Sequence, residues 1–242
     1  SESHWSSVLS PDAQYPLSHI AFALCDEVLR ITVAAGVVIE QPLHLHFFDG
    51  GPQTVSSTQV HIVLNQGSQL TVIEHHNGGT EAVSFSRVCI SGEGTCNHLS
   101  IHQLASTAVH FGHTQVNIGH AGRYTQCNLA LSGSLVRQDT VINLQEADAF
   151  TQCHGVYTPQ QKMVLDTHVE VNHRVPNTVS KLAYRGVVAA GGIGIFNGLV
   201  RVAKNAIGTD SDVQSRALLL GQGAEVYAKP ELIIDADAVK CS

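Results

Sequence analysis

Short apolar runs alternate with turn residues along almost the whole chain. Residues 60–64 (VHIVL), 114–118 (TQVNI) and 164–171 (VLDTHVEV) are examples, and glycine, proline, asparagine or aspartate separate such runs. This punctuation is typical of β-strands joined by turns. Residues 189–200 are compatible with a helix, but they contain four glycines, which disfavour one. No other stretch carries apolar residues at helical spacing over three turns. The pattern therefore predicts an all-β protein.

A repeated tetrapeptide favours a solenoid over a sandwich or a closed barrel. Residues 124–127 (YTQC) recur further along the chain as residues 150–153 (FTQC). This spacing fits one coil of a parallel β-helix. Stacked coils would then place like residues above each other, with the aromatic residue and Gln on one face and Thr and Cys on the other. Chance recurrence is an open alternative, because two copies are fewer than the three usually required.

The rhythm also divides the chain. Residues 1–35 are predicted to be a partly irregular leading segment, and residues 36–242 to be the β-helix core. Within the leading segment, the apolar residues 20–24 and 28–33 flank a short polar break and are expected to form a hairpin.

Composition narrows the class of partner. The 242 residues carry a net charge of −7, which argues against nucleic acid. Basic residues are scattered, and no apolar run approaches the ~20 residues that span a bilayer, so a membrane is not expected. Six dispersed cysteines without a Cys-x-x-Cys motif fit a reducing, cytoplasmic compartment, most of them as small buried residues.

Two histidines offer an alternative function. His44 and His46 lie two residues apart in PLHLHF, so a strand would place both imidazoles on one face, as metal ligands are placed in cupins. The alternative is therefore a metal-dependent enzyme of cupin type. Gly50 and Gly51 stand where a cupin carries an acidic ligand, and two polar side chains on the outer face of a strand explain the pair better than a metal site does.

Three further groups of polar residues could each ligate a cation. They are Glu74-His75-His76, His98 with His102, and His168 with Glu170 and Asn172. Solvated or hydrogen-bonded rows on the outer face of the sheet explain each group as well. A carbohydrate-binding or carbohydrate-cleaving β-helix is a third class, but aromatic residues are only 5% of the chain and offer few stacking platforms.

The last residues carry the most specific pattern. Residues 221–242 read GQGAEVYAKPELIIDADAVKCS, with apolar runs broken at 229–230 and 235–237. Strands that end at residue 242 would leave a sheet edge, either covered by further chain or used for binding. This segment resembles the C-terminal signature of the SufB/SufD family of iron–sulfur cluster assembly scaffolds. Residues 165–173, 184–188 and 197–202 resemble that family too.

The resemblance implies a right-handed parallel β-helix, with helical terminal domains expected outside this chain. Ser215 stands where SufB-like chains carry a cysteine, so the chain resembles the SufD branch. That branch implies a non-catalytic scaffold that pairs with a SufB-like subunit, or with a second copy when alone. A SufC-like ATPase would dock on the C-terminal helical domain. No cofactor is expected on the isolated chain, and the iron–sulfur cluster would be held transiently in the complex.

The same resemblance places the pairing surface on the final coils, roughly residues 217–242. The predicted interface residues are Leu218, Leu219, Leu220, Val226, Leu232, Ile234, Val239 and Cys241. Cys241 is the candidate metal ligand among them, because a thiolate suits iron–sulfur species.

Overall fold

The computed structural model describes residues 14–25, 27–48 and 51–242. One helix, α1, spans Pro16–Ala23 within these residues. The strands are β1 (Val28–Val33), β2 (Leu43–Phe48), β3 (Val55–Leu64), β4 (Gln69–Asn77), β5 (Val83–Gly92), β6 (Thr95–Gln103), β7 (Val109–Ile118), β8 (Arg123–Ser132), β9 (Leu135–Leu144), β10 (Phe150–Tyr157), β11 (Val164–His173), β12 (Val179–Ala189), β13 (Ile193–Val202), β14 (Asp210–Leu220), β15 (Glu225–Ile234) and β16 (Lys240–Cys241).

The strands form two parallel sheets. One sheet contains the odd-numbered strands in the order β1 to β15, and the other contains the even-numbered strands in the order β2 to β16. The chain passes from one sheet to the other and back, so each consecutive pair of strands makes one coil. About seven coils stack in this way, and 63% of the described residues are in strands. The predicted parallel β-helix is confirmed.

Coil length varies while the strands stay paired. Val83 of β5 pairs with Val109 of β7, whereas Ile193 of β13 pairs with Glu225 of β15, so the later coil takes up a longer stretch of chain than the earlier one. Insertions are therefore absorbed at the corners between the sheets. Residues 189–200 lie mostly in β13 and form no helix, as their glycine content predicted.

The repeated tetrapeptide does not stack as predicted. Gln152 of β10 pairs with Thr125 of β8, not with Gln126, because this coil is slightly longer than the spacing of the repeat. A shift of one residue reverses the face of every side chain. Tyr124 is therefore buried inside the solenoid, whereas Phe150 faces outward. The repeat suggested the correct architecture, but the predicted alignment of like residues is wrong.

The core fills the space between the sheets. Inward-facing side chains alternate with outward-facing ones along most strands, and the interior is apolar along much of its length. Tyr184 and Phe196 stack across the two sheets with ring centroids 4.6 Å apart, and both are fully buried. Burying one such large apolar side chain stabilises the fold by about 1.5–3 kcal/mol.

The predicted leading segment contains regular structure. The expected hairpin is wrong, because Pro16–Ala23 is a helix that begins at a proline, a favoured first helical residue. β1 pairs with β3 and is the first strand of the odd-numbered sheet. The helix lies against that sheet, where the Ser57 hydroxyl donates to the Ala21 carbonyl at 2.6 Å. Residues 1–13 lie outside the described residues.

One corner requires a glycine. Gly92 ends β5 with φ +134°, and a Cβ at this position would meet the carbonyl oxygen of Leu64 in the preceding coil. Backbone therefore approaches backbone here more closely than any other residue allows.

In the described part of the chain, no helix is long and apolar enough to cross a membrane.

Candidate functional site

The last coil leaves part of each sheet edge without a neighbouring strand among the described residues. β16 pairs only with Asp210 and Ser211 at the start of β14. The Val213 amide donates a hydrogen bond to the Ser242 carbonyl at 2.8 Å. The rest of β14 pairs with β12 on one side and has no strand on the other side among the described residues. β15 likewise pairs with β13 alone. Such edges present backbone donors and acceptors that can pair with another chain.

Apolar side chains cluster on this open coil. Leu218, Leu219 and Leu220 at the end of β14 are about half exposed, at 58%, 52% and 48%. Leu232 and Ile234 of β15 are also exposed. Scattered exposed leucines need no explanation, but a contiguous apolar group on a sheet edge is typical of an interaction surface.

The other predicted interface residues lie deeper. Val226, Val239 and Cys241 are half-buried and pack against the core cluster. Tyr227 and Ile233 are exposed on the same coil, at 57% and 40%, although the prediction omitted them. Their exposure follows from the position of β15 at the edge of its sheet among the described residues, which sequence alternation alone does not reveal. β15 also runs unbroken through residues 229–230, where the apolar pattern suggested a break, because a proline is tolerated on an edge strand.

Cys241 lies on β16 beside Ser211. Partial burial raises the pKa of its thiol, the Asp210 carboxylate raises it further, and a backbone hydrogen bond at Ser211 opposes these effects. The thiol is therefore less ready to ionise than a free cysteine, and ionisation is what a metal ligand requires. None of the six cysteines, all of which lie in the described residues, forms a disulfide bond. Half of them are buried, namely Cys89, Cys96 and Cys153.

Part of the interior of the first coils is polar. Glu74 is buried between His76 and His98, whose Nε2 atoms each lie 3.1 Å from one of its carboxylate oxygens. His98 Nδ1 also contacts the Tyr124 hydroxyl at 2.7 Å. The interpretation of Glu74, His76, His98 and His102 as solvated outer rows is wrong, because all four side chains point into the solenoid.

Electrostatics explain how this interior tolerates charge. Burial alone would raise the pKa of Glu74, but the electrostatic influence of His98 and hydrogen bonds from His76 and His98 outweigh it and hold that pKa well below its usual value. Burial, with an electrostatic contribution from His76, lowers the pKa of His102 and His110 well below the ordinary range for histidine. Burial in the solenoid therefore favours the neutral form of both imidazoles.

Histidines on the opposite face of the same strands form a second group. His44 and His46 of β2 and His75 of β4 point outward, and His46 pairs directly with His75. His44 Nδ1 lies 3.1 Å from His75 Nε2. The pair predicted from sequence is therefore joined by a third imidazole from the next coil. The surrounding fold is not that of a cupin, because cupins are jelly rolls of antiparallel strands and every strand pair here is parallel.

A hydrogen-bonded network accounts for His168, Glu170 and Asn172 on the outer face of β11. His168 contacts Asp166 at 2.8 Å, and Asp166 also pairs with Arg137 at 3.0 Å. Glu170 accepts a hydrogen bond from the Tyr15 hydroxyl at 2.6 Å, which ties the N-terminal segment to the sheet. These contacts support the outer-ladder interpretation over a cation site.

Comparison with known proteins agrees with this architecture. The family model for the SufBD core domain of SUF system FeS cluster assembly matches residues 47–242. The chain is 28% identical over 232 residues to the iron–sulfur cluster assembly protein SufD of Escherichia coli, which covers 93% of this chain and 55% of that protein. It is 25% identical over 229 residues to the chloroplastic protein ABCI7 of Arabidopsis thaliana, which covers 89% of this chain and 48% of that protein.

A third relative is an iron–sulfur cluster assembly SufBD family protein of Synechocystis, 23% identical over 227 residues. The chain spans about half the length of the curated relatives it matches. Fold and surface together define a β-solenoid with exposed apolar side chains on its last described coil. The chain belongs to the SufBD core-domain family of the SUF system of iron–sulfur cluster assembly.

Proposed function

We propose that this chain is the core of a SufD-type scaffold subunit for iron–sulfur cluster assembly, without catalytic turnover of its own. In this proposal the last coil pairs edge to edge with the corresponding coil of a SufB-like subunit, or with a second copy when that subunit is missing. The observation that carries the proposal is the leucine-rich open edge formed by Leu218, Leu219 and Leu220. Family membership identifies the process that the pairing serves.

Cys241 is the proposed contribution to the cluster site. It lies in the last strand beside the open edge, so a partner docked there would reach it. The raised pKa of its thiol means that cluster binding must be accompanied by loss of a proton. Ser215 stands where SufB-like chains carry a cysteine, so the partner would supply further thiolate ligands. The cluster is cargo in this scheme, and no resident cofactor is proposed for the isolated chain.

Two further elements of the proposal are a third partner and a location. A SufC-like ATPase is proposed to bind the C-terminal helical domain that the family resemblance implies, not the residues of this chain. A cytoplasmic, reducing location is proposed because the six cysteines are dispersed and form no Cys-x-x-Cys motif.

Size-exclusion chromatography with light scattering tests the pairing. The chain alone should form a dimer, and it should form a 1:1 complex when a SufB-like subunit is added. Leu219→Asp should weaken both associations at least tenfold, because the carboxylate would be desolvated at the interface without a partner. Val55→Asp is the matched control, because Val55 is 64% exposed and lies in β3, far from the last coil.

The outcomes separate clearly. A monomer that ignores the SufB-like subunit would overturn the proposal. Equal effects of Leu219→Asp and Val55→Asp would show that pairing uses another surface. Both variants should retain the strand signal of the parent chain in circular dichroism, since both positions are on the surface.

A further inference from the structure

A three-histidine cluster lies at the end of the solenoid opposite to Cys241. His44 and His46 alternate along β2, and His75 lies next to His46 on β4. β2 and β16 occupy opposite ends of the even-numbered sheet, so the cluster is remote from the open coil. His44 and His46 are exposed and His75 is half-buried, so solvent reaches the imidazoles directly.

The spacing of the nitrogen atoms suits a single small ion. One nitrogen from each ring can be chosen so that all three lie within 4.8 Å of one another, and the closest pair, on His44 and His75, is 3.1 Å apart. Ligand nitrogens around tetrahedral zinc, at Zn–N distances of 2.0–2.1 Å, are about 3.4 Å apart. The nitrogen–nitrogen separation of about 3.4 Å that zinc requires therefore lies between the 3.1 Å and 4.8 Å found among the nitrogens of the cluster.

Ring orientation decides what movement binding needs. The rings of His46 and His75 are stacked, 4.5 Å apart and inclined by 5°, so their lone pairs do not yet converge. His46 must turn about its side-chain bonds to join the other two. An exposed side chain makes such rotamer changes within picoseconds to nanoseconds, so this rearrangement presents little barrier.

The chemistry of the cluster selects the class of ion. A neutral imidazole offers the lone pair that a metal needs. A set of three imidazoles suits zinc, copper, iron or nickel, whereas calcium and magnesium prefer oxygen ligands. Three protein ligands leave the fourth position of a tetrahedral ion open to water.

The interior histidines are weaker candidates. His76, His102 and His110 also present nitrogens within 4.8 Å of one another. However, hydrogen bonds to Glu74, Ser100, Ser84 and Ser86 already engage these rings. All three are buried, so an ion would have to pass between the closely packed side chains around them and displace these contacts.

We propose that His44, His46 and His75 form a surface site for one divalent transition-metal ion, with zinc as the reference ion. The site does not depend on the proposed scaffold function, because it shares no residue with the last coil. It does not revive a cupin enzyme, since the fold differs and the proposal includes no reaction.

Calorimetric titration of the purified chain with zinc chloride near neutral pH tests the site. One ion should bind per chain, and His44→Ala or His75→Ala should each weaken binding at least tenfold, since even outer-shell changes cost ~10–100-fold in metal affinity. His154→Ala is the matched control, because His154 is an exposed histidine on β10 of the same sheet and should not affect binding. Cobalt binding should give visible absorption typical of tetrahedral coordination, which is lost in His75→Ala.

Three results would overturn the proposal. They are no stoichiometric binding by the parent chain, unchanged binding in both His44→Ala and His75→Ala, and an equal loss in His154→Ala. Circular dichroism should show that all variants keep the parent fold, because the substituted side chains lie on the outer face. A loss confined to the two cluster variants with the fold intact would support the site.

Discussion

Acid should destabilise the solenoid through His173, which is buried in the core at the end of β11. Its Nδ1 contacts the Thr178 hydroxyl at 2.7 Å, and its Nε2 contacts the Ser180 hydroxyl at 2.9 Å. Only 1% of the residue is exposed. Desolvation by burial lowers the pKa of His173 from 6.5 to about 4. The folded chain therefore resists a proton that the unfolded chain accepts.

The direction and size of the effect follow from this difference. Between pH 6.5 and about 4 the unfolded chain binds more protons at this residue than the folded chain does, so the free energy of unfolding falls as the pH falls. Each pH unit is worth about 1.4 kcal/mol, so His173 should contribute a loss of about 3 kcal/mol by pH 4. His61, with its pKa lowered to about 4 by burial and by Arg87 and Arg30, acts in the same direction.

Urea denaturation at several pH values between about 7.5 and 4.5 measures the effect. The comparison of the parent chain with His173→Asn isolates this residue, because the variant keeps a polar side chain but cannot titrate. The variant should be less stable near neutral pH, and its stability should decrease less on acidification. Parallel pH profiles for the two proteins would refute the reasoning. The exposed control His154→Asn should retain the parent profile.

Two further substitutions test the packing of the coils. Phe196→Ala should lower the free energy of unfolding, measured by urea denaturation, by about 3–5 kcal/mol, because it opens a cavity beneath Tyr184. Phe48 is 70% exposed, so the control Phe48→Ala should lower it by less than about 0.5 kcal/mol. Gly92→Ala should cost clearly more than Gly36→Ala in thermal melts. Both positions have positive φ, which costs an alanine about 1–3 kcal/mol, but only at position 92 would the added Cβ also meet the Leu64 carbonyl oxygen. Equal costs for the two substitutions would contradict this close approach.

The architecture could be predicted from the sequence because strand and turn signals are local. Apolar alternation and glycine punctuation identified the strands from residue 36 onward, and the repeat spacing suggested coils. The register could not be predicted in the same way. Coil lengths differ along the column, so Gln152 stacks on Thr125 instead of Gln126. Register depends on corner geometry, which short motifs do not encode.

Prediction of the histidine sites failed for a different physical reason. Alternation separates two faces of a strand, but it does not reveal which face is inside when both carry polar residues. Glu74 and His76 were interpreted as outer residues, yet ion pairs and hydrogen bonds satisfy them in the interior. His75 became the partner of His44 and His46 only through the stacking of β4 on β2. Contacts between coils are long-range in sequence, and a single sequence does not display them.

The variable corner lengths have a broader consequence. Because each coil contacts mainly the coil before it and the coil after it, a change at one end is transmitted poorly to the other. The histidine-bearing end and the cysteine-bearing end can therefore acquire or lose chemistry independently. A loop enlarged at one corner would alter the local surface of the solenoid and leave the neighbouring coils unchanged. Different parts of the surface could therefore change separately without loss of the fold.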